Sequence, residues 1–140
     1  DPSLAAQPVL HSELVAIVPL DHPRARQSSV KLAELRDSEW ISIDAPDAGY
    51  RTFLLQLCRN AGFTPRFSRA LATQAPALVG LVAAGMGVAL VPRLLLPPTP
   101  LPIAVLATDC DPLEIHAVWH RDGTSPLLRN FVAILGELPR

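Results

Sequence analysis

Apolar positions along the chain alternate between two periods, and the switches mark its elements. In "HSELVAIVP", His11 to Pro19, Leu14, Ala16 and Val18 fall on one side and Val15 and Ile17 on the other, which predicts a strand closed by proline. A strand apolar on both faces belongs in the middle of a covered sheet. Asp1 to Pro8 lacks that alternation and reads as a connector. Ser29 is predicted to cap a short helical turn through Leu35, with Leu32 and Leu35 inward, and "EWISI", Glu39 to Ile43, is the second strand.

From about Tyr50 to Ala61 the period becomes helical. Phe53, Leu54, Leu57 and Cys58 recur at three- and four-residue spacing, and Gly62 is the stop. "FTPRFSRAL" is extended. "LVGLVAAGMGVALVP" is the end of a helix entered near Thr73, then a glycine pair, then a strand closed by Pro92. Five prolines between Pro92 and Pro102 exclude a long regular element there. "LPIAVLAT" and "LEIHAVWH" are strands, the second with Leu113, Ile115, Ala117 and Trp119 on one face. Ser125-Pro126 opens a closing helix with Leu128, Phe131, Val132, Leu135 and Leu138 on its apolar stripe. The alternation of strands and helices predicts an α/β fold with a mostly parallel or mixed sheet. The first strand and the last strand-helix pair flank a compact middle, as in one lobe of a two-lobed protein cut from its partner.

Composition narrows the function. The chain has 140 residues, 49% hydrophobic, with 12 Lys and Arg against 13 Asp and Glu, a globular balance with a net charge of -1. Its arginines are scattered, so it lacks the basic face of a DNA-binding module. Cys58 and Cys110 lie far apart outside any CxxC pattern, which argues against a disulfide scaffold or a zinc site. Cys58, among apolar helix positions, is expected to be a buried free thiol. No apolar run is long enough to span a bilayer, and no signal peptide precedes the fold. The absence of an initiator Met fits a mature, trimmed or excised chain.

Each candidate chemistry meets a plainer alternative. A phosphate loop needs its glycines between strand and helix, with Lys and Ser or Thr after them in the Walker type. Here the order is helix, glycines, strand, so Gly85 and Gly87 are expected to form a structural turn. The helix start at Thr73-Gln74 offers free amides to an anion, and Asp44 to Thr52 is a similar strand-end, turn and helix start. There, Asp47 or Thr52 as a simple helix cap competes with ligand contact. His116 and His120 stand well apart along a strand, and neither HExxH nor GxSxG occurs. No catalytic constellation and no metal site is expected. Trp40 and Trp119 are expected in packing.

Five segments, in order, carry a family likeness: "LVAIVPLDHPRA", "LAELRDSEWISID", "LCRNAGFTPRF", "LVGLVAAGMGVALVP" and "LEIHAVWHRDGTSPLLRNFVAIL". Together they cover nearly the whole chain. It resembles the effector-binding, or substrate-binding, domain of LysR-type transcriptional regulators, a type 2 periplasmic-binding-like fold.

The resemblance implies a two-lobed α/β fold with one lobe complete and the other partly present. Residues 1–18 would be the remnant of lobe one with its crossover strand. Residues 19–111 would be lobe two, and 112–140 the return strand and closing helix of lobe one. The hinge would lie at Val18, Pro19 and Val118. Lobe two would supply an effector wall of Asp44, Ala45, Gly49, Tyr50, Thr73, Gln74, Val91 and Pro92. Pro76 removes one amide donor from that helix start, and the acidic loop "DAPDAGY" disfavours a strongly anionic ligand at its edge. The family implies a cytoplasmic bacterial regulator without a cofactor, sensing a small effector such as an organic acid. It also implies a homodimer or homotetramer built through this domain, with DNA bound only through an upstream helix-turn-helix. An exported solute-binding protein and a structural α/β domain without ligand are the competing expectations.

Overall fold

The computed structural model describes residues 1–43, 49–98, 100–123 and 125–138. In chain order its elements are β1 (Leu4–Ser12), β2 (Leu14–Pro19), β3 (Ser29–Val30), β4 (Glu39–Ile43), α1 (Tyr50–Asn60), β5 (Arg66–Ala72), α2 (Ala75–Ala83), β6 (Ala89–Pro92), β7 (Ile103–Thr108), β8 (Leu113–His120) and α3 (Pro126–Glu137). Short 3-10 turns occupy Leu32–Leu35 and Arg93–Leu95. The chain forms two compact units, one of Asp1–Ser12 with the chain from Pro112 onward, the other of Glu13–Asp111.

The larger unit is built around β2. Its sheet has the order β3-β7-β2-β6, with β2 antiparallel to both neighbours and β3 parallel to β7. Leu14 to Val18 are all buried, as expected of a central strand covered on both faces. Val15 and Ile17 join Ile41, Leu78, Val82, Ala89 and Val91 in one core cluster. The alternate residues Leu14, Ala16 and Val18 point to the other face. β4 and β5 form a parallel pair, connected to the chain entering β6 by a bridge between Trp40 and Val88. The sheet is therefore mixed.

Helices α1 and α2 end in the same way. After α1, Gly62 takes φ +93°, its N–H donates to the Arg59 carbonyl at 3.0 Å, and Phe63 N–H donates to the Cys58 carbonyl at 3.0 Å. After α2, Gly85 takes φ +80°, its N–H donates to Val82, and Met86 N–H donates to Leu81. Both are Schellman endings, in which a left-handed residue lets the backbone close on its own last carbonyls. The groups left free at such an end are carbonyls, which have nothing to offer a phosphate. Gly87 follows at φ +151°, where an added Cβ would sit 2.7 Å from the Glu39 carbonyl oxygen. It allows the backbone to approach β4.

The smaller unit is an antiparallel pair, β1 against β8, with α3. The connector expected over Asp1 to Pro8 is in fact most of β1, which runs from Leu4 opposite His120 to Ser12 opposite Leu113. Pro8 cannot donate to a ladder, and the register shifts between Pro8 and Leu10 to accommodate it. The strand expected over His11 to Pro19 is thus two strands, divided at Glu13. The chain changes unit there and again between Asp111 and Pro112. Val18 and Pro19, expected at a hinge, lie inside β2, which is hydrogen-bonded within the larger unit; Val118 lies in β8. The cap expected at Ser29 is replaced by β3. The Leu32–Leu35 turn starts instead where the Glu34 carboxylate accepts the Lys31 N–H at 3.1 Å. Leu32 and Leu35 are buried there.

Candidate functional site

The strand directions define one edge of the larger unit. β4, β5 and β6 run the same way, with Ile43 beside Ala72, and Pro92 at the end of β6 is opposite Leu14 at the start of β2. In open α/β sheets the carboxyl ends of parallel strands are where loops leave room for ligands. Two helices begin at this edge. Gly49 is the N-cap of α1 and Gln74 that of α2.

Thr73 and Gln74 are exposed, and Gln74 is extended at φ -147° and ψ 156°. Among the described residues no side chain caps α2. Pro76 leaves its first turn one amide short, so the other first-turn amides are the donors this helix start offers. Tyr50 is half-buried, and its hydroxyl donates to the Leu90 carbonyl at 2.8 Å. Burial pushes the phenol pKa well above its ordinary value, so it remains a neutral donor. Val91, expected in the wall, has its side chain in the core, so of that pair only Pro92 is partly exposed. Asp44 and Ala45 lie outside the described residues.

The edge also carries polar contacts that the sequence reading missed. Arg93 Nε donates to Glu13 Oε2 at 3.0 Å, and Arg93 N–H donates to the Glu13 carbonyl at 2.8 Å. The Thr108 hydroxyl donates to the Leu14 carbonyl at 2.7 Å. Glu13 is the one charge inside "HSELVAIVP" and Arg93 directly follows "VALVP". Their meeting becomes visible only once β2 and β6 are known to be neighbours.

The remaining candidates lie elsewhere. Gly85 and Gly87 sit at the start of β6, away from the edge at its end. They line a cleft of about 330 Å³ with Pro19, His22, Ser38 and Met86. Its polar centre is His22, whose Nε2 lies 3.1 Å from the Ser38 hydroxyl. Cys58 is buried and free, and burial pushes its thiol up to about 12. Burial also raises the Cys110 thiol. Neither is primed as a nucleophile at neutral pH. Among the described residues no three His, Cys, Asp or Glu side chains are grouped to hold a metal ion.

This architecture has close parallels. The family model of the LysR substrate binding domain matches residues 1–140. The chain belongs to the LysR substrate-binding domain family.

Among relatives of this LysR substrate-binding domain is the HTH-type transcriptional regulator AlsR of Bacillus subtilis. It is 30% identical over 129 residues, covering 88% of this chain and 41% of that protein. The effector-binding domain of QuiR, solved in complex with shikimate, superposes with a TM-score of 0.85 at 22% identity, over 96% of this chain and 65% of that one. The BenM effector-binding domain, solved with its effector benzoate, gives 0.77 at 19% identity, over 100% and 68%. Both likenesses establish the periplasmic-binding-like α/β fold. The chain spans less than half the length of the curated relatives it matches. Among its described residues no helix is long and apolar enough to cross a membrane.

Proposed function

We propose that this LysR substrate-binding domain senses a small-molecule effector as the regulatory part of a cytoplasmic transcriptional regulator. On this reading it performs no catalysis, needs no cofactor, assembles as a homodimer or homotetramer, and reaches DNA only through another part of the protein. The observation that carries the proposal is the convergence at one sheet edge of two helix starts, with Thr73 and Gln74 exposed and Tyr50 and Pro92 partly so. Amide donors beside a strand end suit a carboxylate, and shikimate and benzoate, the ligands of QuiR and BenM, are both carboxylates. The ligand acts by binding one arrangement of the protein better than another, since equal binding to both would shift nothing.

The test is thermal unfolding against a panel of small organic acids that includes shikimate and benzoate. A true effector at a hundred times its dissociation constant adds about 2.7 kcal/mol of apparent stability. Thr73→Val and Gln74→Ala should weaken that response while leaving the ligand-free melting point nearly unchanged, because both side chains are exposed. A flat profile across the panel, or a response indifferent to both substitutions, overturns the proposed site.

A further inference from the structure

β4 and β6 run parallel, yet among the described residues the only bridge is between Trp40 of β4 and Val88, just ahead of β6. That bridge consists of Val88 N–H on the Glu39 carbonyl at 2.8 Å and Ile41 N–H on the Val88 carbonyl at 2.9 Å. A parallel ladder repeats its partners every second residue. The next two bonds would be Leu90 N–H on the Ile41 carbonyl and Ile43 N–H on the Leu90 carbonyl, and neither forms. The Leu90 carbonyl instead accepts the Tyr50 hydroxyl.

Both strands are held on their outer sides at this level. Ile43 lies beside Ala72 of β5, and Leu90 lies beside Ala16 of β2. The sheet therefore divides between two anchored strands, and it divides toward the edge that carries Thr73, Gln74 and Pro92. Tyr50 is well placed to maintain that division, being the first residue of α1 and a half-buried ring fixed by its own helix.

We infer that Tyr50 is a positioning residue: its hydroxyl takes the carbonyl that would otherwise zip β6 to β4, and so holds the sheet open at the candidate effector edge. The wedge is a property of the sheet; only its consequence for ligands rests on the effector reading above. The competing explanation is that the strands diverge for other reasons and Tyr50 merely satisfies a carbonyl left behind. The two differ in what happens when the oxygen is removed.

Tyr50→Phe deletes that oxygen and keeps the ring, and circular dichroism checks that the fold is retained. Amide hydrogen exchange at Ile43 is the direct readout, with binding of shikimate and benzoate as the second. If Tyr50 is a wedge, the Ile43 amide gains the Leu90 carbonyl and slows by about fivefold or more, the scale of one added hydrogen bond. Whichever probe binds the original protein then binds the variant more weakly. Unchanged or faster exchange at Ile43 overturns the wedge, whatever the probes do. Slower exchange at Ile43, with neither probe binding even the original protein, upholds the wedge and counts against those acids as effectors.

Discussion

Helices α1 and α3 have similar amphipathic patterns and different surroundings. In α1, which packs against β4, Leu54 and Cys58 are fully buried. In α3 no residue is fully buried: Leu128, Val132 and Leu135 are half-covered, while Leu127, Phe131 and Ile134 are exposed, as is Leu138 at its C-cap. The contrast is one of cover. Among the described residues α3 lies with a two-stranded ladder that leaves its apolar side largely open, whereas the larger unit packs helices around a central strand whose residues Leu14 to Val18 are all buried. An amphipathic pattern declares that a helix has an apolar side without specifying what that side meets.

The comparison can be broken most directly by truncating one side chain on each helix. Leu54→Ala should cost about 2 to 5 kcal/mol in chemical denaturation, since it opens a cavity in a closed core. Phe131→Ala, although it removes more atoms, should cost less than about 1 kcal/mol because the residue is already 55% exposed. Equal costs would mean that α3 is covered after all. A smaller effect should follow at the close approach of β6 to β4. Gly87→Ala forces a Cβ against the Glu39 carbonyl at positive φ and should cost about 1 to 3 kcal/mol. Gly85→Ala, strained by φ alone with open space around it, should cost about 1 kcal/mol.

The cysteines sharpen the contrast at smaller scale. Iodoacetamide should modify the partly exposed Cys110 well before the buried Cys58, followed by mass spectrometry. Because the Cys58 thiol is pushed up to about 12, its contribution to stability is complete below the unfolded thiol's value near 9. That contribution declines as pH rises from there toward 12, because the unfolded thiol ionises first. A Cys58→Ala variant should lose this part of the alkaline decline.

Elements with strong local patterns were legible before the structure. The pattern of "EWISI" predicts β4 with its observed limits, and spacing together with the glycines that stop them places α1 and α2. β1 was not legible, because Pro8 breaks its pattern and its partner lies at the other end of the chain, in β8. β3 is two residues that are a strand only because β7 lies alongside. The same limit applied at the candidate site. Thr73-Gln74 could be named from a helix start, but no local signal tells a tyrosine hydroxyl that it will meet a carbonyl 40 residues away.

The Thr108–Leu14 hydrogen bond has an engineering consequence. It ties the last residue of β7 to the first of β2, so the larger unit begins and ends at neighbouring points of its sheet. A segment with adjacent ends behaves as a cassette. Cut at Glu13 and Asp111 and joined by a short linker, it can be circularly permuted at an exposed loop or transplanted into a host turn, carrying its core with it.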